Sequence, residues 1–391
     1  MSYALVTSSI ILISTAIVGG MLFGGRAISD SDTLVAWGAN VGTRTTNGEW
    51  WRLVTSIFVH TGTLHLLVDV AVLIQVGGIL ERLVGRLTFT AVYLSAGILA
   101  GLVKISSHPV DVTAGAPGAI FGLYGLLLAS IFWQLFRRLR GNQEPDAEEG
   151  AEPRVKIPFT TAKRLSIGAA VFIVYSALSG FAHTPEFTGL LVGLMYGLVF
   201  ARHVNVNQPD TRHVAYAMVA TGLIAVAAAI PHRNIADVKP EIARVLATEE
   251  RTAAAYQAGA DALKKGRITA EALAQLAERT IIPELQAADD RLKALTNVPP
   301  EHQRLVADAR EYLRLRCASW HARAKAIRRI HMDPPRAPEE EAHANWRLQA
   351  EARFRSNMAV VGSAEGAERA SLEAFQRVKE ETPSGQVAAV K

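Results

Sequence analysis

From the N-terminus to about residue 231 the chain alternates long apolar stretches with short polar ones. Residues 1–25 carry no charge, and Ile10–Gly25 is almost continuous Ile, Leu, Val, Met, Phe, Ala and Gly. Six further apolar stretches lie at about 63–80, 87–103, 116–136, 165–182, 187–201 and 214–230. Each is about long enough to cross ~30 Å of hydrocarbon as a helix, so the pattern predicts seven spans and an all-α, multi-pass membrane protein. A cleaved signal peptide would open on Lys or Arg and close on a small-residue site. The first run lacks that basic start and is long, which predicts a retained helix. Gly189, Gly193 and Gly197 recur every four residues and share one face of the short sixth stretch, where a neighbouring helix can approach closely.

After residue 231 the pattern changes. From Val238 to Gln376 strong helix formers dominate, with apolar residues three and four apart, as in Leu273, Leu276, Leu285, Ala288, Leu292 and Leu295. Breaks are expected at Gly266, Pro299–Pro300, Pro334–Pro335 and near Gly362–Gly366, with Pro283 a further candidate. Thr269 is a weak helix-start signal. The spacing predicts three or four antiparallel helices with Trp320, Trp346, Tyr256, Tyr312 and Phe354 in their core. The expected domains are therefore 1–231, in the membrane, and 232–391, a water-exposed α-helical bundle.

Charge supports this division. Residues 1–231 hold 15 Lys/Arg and 13 Asp/Glu, against 26 and 23 in residues 232–391. A net charge of +5 is modest, and basic residues alternate with acidic ones in the tail, so no nucleic-acid partner is expected. One cysteine, Cys317, excludes an intrachain disulfide framework and a Cys-cluster metal site. A soluble cytoplasmic enzyme is excluded. In a seven-span arrangement, eleven Lys/Arg fall on one side: Arg82, Arg86, seven from Arg137 to Arg164, Arg202 and Arg212. Arg26, Arg44, Arg52 and Lys104 fall on the other. Basic loops favour the cytoplasm, which puts the N-terminus there and the C-terminal domain outside. If 187–201 only re-enters the membrane, the tail turns inward. The charged loop 137–164 reads as a solvated excursion. Ala/Arg-rich composition suits a bacterial inner membrane.

Several motifs occur in order: E-W-W-R-L-V-T-S-I-F-V-H-T-G-T-L-H at Glu49–His65, L-L-V-D at Leu66–Asp69, and G-G-I-L-E-R-L-V-G-R at Gly77–Arg86. Y-L-S-A-G at Tyr93–Gly97, G-A-P-G-A-I-F-G at Gly115–Gly122 and E-F-T-G-L-L-V-G at Glu186–Gly193 follow. This series, over about residues 35–202, resembles the rhomboid family of intramembrane serine proteases. The resemblance implies a six-helix core, to which the seventh span and the tail are additions. It also implies a serine nucleophile in G-x-S-G at the start of the fourth span and a histidine base before the Gly-rich sixth. A histidine and an asparagine one turn apart on the second span would help hold the oxyanion.

Carried onto this chain, the nucleophile position is Pro117 and the base position is Glu186. The second-span histidine is kept as His65, and the asparagine is replaced by Asp69. Proline has no hydroxyl and no N–H, so it neither attacks nor donates. An ionised Asp69 accepts hydrogen bonds only and would repel an oxyanion. No catalytic set is intact. His183 would be the base if the register slipped by three residues, but the serine is still missing. Thr113, Ser106, Ser107 and Ser130 lie nearby, none in the Gly-flanked turn that presents the family nucleophile. Trp51–Arg52 and Glu81–Arg82 match the family's W-R and E-R pairs and are expected to brace loops at the membrane surface.

Carboxylates within spans are costly and usually face a polar interior. His65, Asp69 and Glu186 are therefore expected around one water-accessible cavity, with Asp69 and Glu186 hydrogen-bonded to each other. The sharper alternative is a metal site built from these three with His60 or His183; the plain expectation is no metal and no cofactor. The leading functional expectation is a catalytically inactive rhomboid-like protein, a pseudoprotease, that binds transmembrane clients. Its tail would recruit a further partner. The alternatives are an active intramembrane endopeptidase with an atypical site, and a membrane-anchored structural or assembly protein.

Overall fold

The computed structural model describes residues 4–25, 27–139, 169, 172–174, 183–200, 210–330 and 343–382, with only the backbone described at some helical positions, His183 and Trp346 among them. The chain divides into two compact units, Met1–Ile235 and Ala236–Lys391.

In the first unit six longer helices carry the apolar stretches: α1 (Leu5–Phe23), α5 (Thr63–Val72, continuing through Leu73–Gly77 and Gly78–Val84), α6 (Arg86–Ser107), α7 (Pro117–Leu139), α8 (His183–Phe200) and α9 (Thr211–Ala229). Short helices α2 (Ser31–Ala36), α3 (Gly42–Thr45) and α4 (Arg52–Thr55) occupy the long connection after α1. Among the described residues, four segments are long and apolar enough to cross a membrane: Leu5–Phe23, Thr63–Val84, Arg86–Ser107 and Thr211–His232. Pro117–Trp133 and Thr184–Phe200 are shorter apolar helices. These six match six of the seven expected spans. The expected span at 165–182 and most of the charged loop 137–164 lie outside the described residues. Side chains such as Leu12, Leu67, Leu191, Val219 and Leu223 are exposed, which makes an apolar exterior suited to lipid. This is an integral membrane protein.

Helix α1 begins at Leu5 after Ala4, with no capping side chain of its own. Its first N–H groups would stay unsatisfied. Glu81 answers them from α5: its carboxylate accepts from Val6 N and Thr7 N at 2.9 Å each, and from Thr7 Oγ1 at 2.9 Å. Negative charge also suits the positive end of a helix. The loop-bracing role expected of Glu81–Arg82 is thus corrected: Glu81 caps another helix, and its nearest cation is Arg86 at 3.8 Å. Arg52 is buried, as the W-R motif requires of a loop brace. Its guanidinium donates to the carbonyls of Val35 (2.5 Å) and Ala39 (3.1 Å) and pairs with Glu49.

Helices α7 and α8 meet backbone to backbone. A Cβ on Gly193 would fall 1.8 Å from the Gly122 carbonyl oxygen, and one on Gly189 would fall 2.0 Å from that of Gly118. The every-fourth glycine pattern is therefore a packing seam. Phe89, Val92, Ala96, Ile120 and Leu126 fill the surrounding core.

The second unit holds α10 (Val238–Lys264), α11 (Ala270–Leu276, Ala277–Ile281 and Ile282–Lys293), α12 (Pro300–Ile330) and α13 (His343–Glu381). Cross-helix pairs run in opposite order along successive helices, so neighbours are antiparallel. Glu241 and Arg251 meet Arg291 and Glu284; Arg323 and Arg304 meet Glu368 and Glu381. Gly266 takes φ +64° after α10, and Thr269 Oγ1 accepts from Ala272 N at 3.1 Å to start α11. Pro283 does not end α11: the turn Ala277–Ile281 just before it is π-helical and accommodates the missing N–H. Trp320 and Tyr312 are buried and Tyr256 packs against them, as expected. Phe354 is 66% exposed instead, and α13 runs unbroken through Gly362 and Gly366. Those two glycines face open space, and a 39-residue helix tolerates their cost of roughly 1 kcal/mol each. Pro334–Pro335 and the Trp346 side chain lie outside the described residues.

Candidate functional site

The segment before α7 is tied down by backbone hydrogen bonds. Asn40 and Thr113 form an antiparallel bridge, Gly42 N–H donates to Pro109 O at 2.9 Å, and Gly115 N–H donates to Ser56 O at 2.9 Å. Gly115 takes φ +119°, and a Cβ there would lie 2.4 Å from Cε1 of His65. Only glycine satisfies both demands. Pro117 follows as the first residue of α7, where its missing N–H costs no helical bond. The Gly115–Gly118 turn is therefore kept by packing, while its third residue offers no nucleophile.

Asp69 is 1% exposed and sits one turn beyond His65 on α5. Its Oδ2 lies 3.1 Å from His60 Nε2 and 3.7 Å from His65 Nε2, and accepts from Ala116 N at 3.3 Å. His60 Nδ1 is 3.1 Å from Phe58 O. A carbonyl only accepts, so Nδ1 carries a hydrogen. The hydrogen bonds from the His60 ring and the Ala116 N–H are how a buried carboxyl is tolerated here. His65 Nδ1 lies 3.1 Å from Thr61 Oγ1.

Glu186 lies in the first turn of α8, 7% exposed, and lines a cavity of about 370 Å³. Pro117, Gly118, Ser56, Ile57 and Thr61 also line it. His65 and Asp69 are not among the lining residues: the His65 ring packs against Gly115, and Asp69 Oδ2 meets the Ala116 N–H. Asp69 is engaged by His60 and Ala116. Spacing alone did not show this, because His60 belongs to a loop outside the periodic pattern. Among the described residues no group of three or more His, Cys, Asp or Glu could hold a metal ion. The His183 side chain lies outside the described residues. Ser130 donates to Leu126 O within α7, and Thr113 Oγ1 donates to Asn40 O. Ser106 Oγ lies 3.0 Å from His232 Nε2 and Ser107 Oγ lies 3.0 Å from His108 Nδ1, both exposed and both outside the cavity lining.

The tail shows a different chemistry. Glu249 is buried and accepts from Tyr312 Oη (2.5 Å) and from Arg316 Nε (3.1 Å) and Nη2 (2.5 Å). Burial, with the Glu249 charge beside it, pushes the Tyr312 phenol well up. Burial also pushes the Cys317 thiol up to about 11, so it stays protonated and unreactive near neutrality. The buried Glu249 carboxylate is thus satisfied by Tyr312 and Arg316.

An apolar-faced helical bundle with a buried carboxylate–histidine pair and a small cavity at the head of a Gly-rich helix pair defines a polytopic membrane protein with an internal site. Comparison with known proteins places it further. Residues 47–203 match the sequence model of the rhomboid domain, so this part of the chain is similar to the rhomboid family. Over 100 residues it is 42% identical to the rhomboid protease GluP of Bacillus subtilis, covering 26% of this chain and 20% of that protein. Over 99 residues it is 42% identical to the putative rhomboid protease YdcA of the same organism, 25% and 48%. Rhomboid-like protease 2 of Toxoplasma gondii is 35% identical over 100 residues, 25% and 35%. The matched part spans between a fifth and about half of these relatives.

Proposed function

We propose that this protein keeps the rhomboid scaffold without rhomboid proteolysis and holds transmembrane segments of other proteins. The observation that carries the reading is Pro117 at the start of α7, in the turn that presents the family's serine. Two further features support it. The Ala116 N–H points to the Asp69 carboxylate, so it is not spare for an oxyanion, and the base position holds the carboxylic acid Glu186. The relatives' names describe proteases, and their activity is theirs. The scaffold, by contrast, is intact: the glycine seam, the Arg52 brace and the Glu81 cap all serve the fold. A bundle with a polar internal cavity can receive a membrane segment whose backbone or side chains lipid would not satisfy.

In this reading the N-terminus is cytoplasmic, the C-terminal domain is extracytoplasmic and recruits a partner, and the membrane is a bacterial inner membrane. A carboxylate-based hydrolase is the less supported account, since Asp69 and Glu186 do not share the cavity wall. The test is photocrosslinking in native membranes, with a photoreactive residue at Ser31 on the cavity lining. Adducts to multi-pass or single-pass membrane proteins are expected. A probe that labels only lipid, at Ser31 and at further lining positions alike, would overturn the reading.

A further inference from the structure

Charge is distributed unevenly between the two ends of the tail bundle. Arg328 of α12 donates to Glu271 and Glu278 of α11, which sets the end of α12 beside the first half of α11. Helix α10 reaches α11 at the same end through Lys265, Gly266 and Arg267. Residues 261–281, 325–330 and 348–358 together hold nine Lys/Arg and four Asp/Glu. The opposite end is joined by Arg304–Glu381 and by the Ala236 N–H, which donates to the Asn297 carbonyl. Its residues 237–244, 289–308 and 377–381 hold seven Lys/Arg and eight Asp/Glu, so the excess of cations belongs to one end alone.

The four acids of the basic end are already engaged: Asp261 by Lys264, Glu271 and Glu278 by Arg328, and Glu351 by Arg355. Lys265, Arg267, Lys325, Arg329 and Arg353 are exposed, and none has an ion-pair partner among the described residues. Exposed apolar side chains collect in the same place. The pairs Arg323–Glu368 and Arg304–Glu381 set α13 against α12 so that Ile330 is level with about Val361. Leu348, Phe354 and Met358 therefore stand past the last described turn of α12. They are 64%, 66% and 53% exposed, and Ile330 is 55% exposed. Among the described residues of the tail, Leu372 is the one other exposed large hydrophobic, so the mixture of apolar and unpaired cationic groups is particular to this end.

Unpaired cations interleaved with exposed Leu, Phe, Met and Ile match an anionic bilayer surface, which takes the apolar groups at its headgroup boundary and the cations at its phosphates. The chain's own membrane is tethered to the tail and so meets it at high effective concentration. We propose that this end of the tail bundle docks on the surface of the surrounding bilayer and selects anionic phospholipid. The inference is independent of client binding and of the side on which the tail lies.

The full-length protein carrying Cys317→Ser receives one environment-sensitive fluorophore at Phe354→Cys. It is reconstituted in vesicles of phosphatidylcholine alone or mixed equally with phosphatidylglycerol. The expected result is a rise of roughly twofold or more in fluorescence in the mixed vesicles, quenched by doxyl-labelled lipid and reversed by high salt. A label at Lys293→Cys, at the balanced end, should show neither response. Charge reversal by Lys265→Glu and Arg353→Glu together should abolish the rise. Equal signals in the two vesicle types, or equal quenching at both label positions, overturn the proposal. A label at Phe354→Cys that responds to added polyglutamate and not to anionic lipid overturns it too, in favour of an acidic protein partner. The decisive comparison sets one protein in two lipids, so it holds even if the charge-reversed form fails to fold.

Discussion

At the scale of single residues, the proposed absence of proteolysis turns on what two side chains lack. Pro117 lacks a hydroxyl, and Asp69 lacks the donor that an asparagine amide would supply. Restoring one element does not restore a mechanism. Pro117→Ser is expected to leave a transmembrane substrate uncut in a reconstituted assay, because Glu186 and Asp69 stay where a base and an oxyanion donor are needed. Measurable cleavage by that variant would show that the carboxylates suffice. The His60–Asp69 pair makes a second prediction. Both are 1% exposed and hydrogen-bonded at 3.1 Å, so His60→Ala strands a buried acid. The expected loss is about 3–5 kcal/mol, read from thermal or denaturant unfolding in mild detergent. A neutral effect would mean that water or another group replaces the ring. The sequence motif pointed to His65 and Asp69 but not to the partnership with His60, because a contact nine residues away through a loop follows no helical period. The cap that Glu81 gives to α1 was hidden in the same way: 74 residues separate donor and acceptor.

At the scale of elements, the fold depends on close approach. Gly193→Ala would place a methyl group 1.8 Å from the Gly122 carbonyl oxygen. Helices α7 and α8 must then separate along their whole seam, and the variant is expected to lose the folded state in a protease-resistance assay. Gly222→Ala is the control, since nothing lies within 4 Å of the new atom. It should behave as wild type; equal damage from both substitutions would show that the seam is not special. Apolar runs made the spans legible because lipid demands continuous hydrophobic length. The glycine spacing made the seam legible too. What the pattern did not fix was continuity inside the tail helices. Glycine weakens a helix without ending it, so α13 passes through Gly362 and Gly366, and Pro283 is absorbed by a π-helical turn. The exposed Phe354 shows the matching limit: helical spacing places a residue on a face but does not say whether that face is covered.

At the scale of the whole molecule, two units with opposite chemistry share one chain. The tail is laced by ion pairs, among them those of Arg328, which donates to Glu271 and Glu278 at 2.6–3.0 Å. Hydrogen bonds from Arg328 hold the Glu271 carboxyl down at about 2, against an ordinary 4.5. A depressed acid contributes stability above its unfolded value and loses it as pH falls toward the folded one. The tail's stability should therefore decline between about pH 4.5 and pH 2, and Arg328→Met should flatten that decline, followed by Trp320 fluorescence. An unchanged acid profile would remove the bridge from the account. In the membrane unit, the proposed function separates the rhomboid scaffold from rhomboid proteolysis. The most direct test is cleavage itself. Wild type, Glu186→Ala and His65→Ala would be reconstituted in liposomes with a transmembrane substrate that ordinary rhomboid proteases cut. The account predicts no product from any of the three; product from wild type that disappears in either variant would contradict it and establish a new catalytic arrangement around Glu186 or His65.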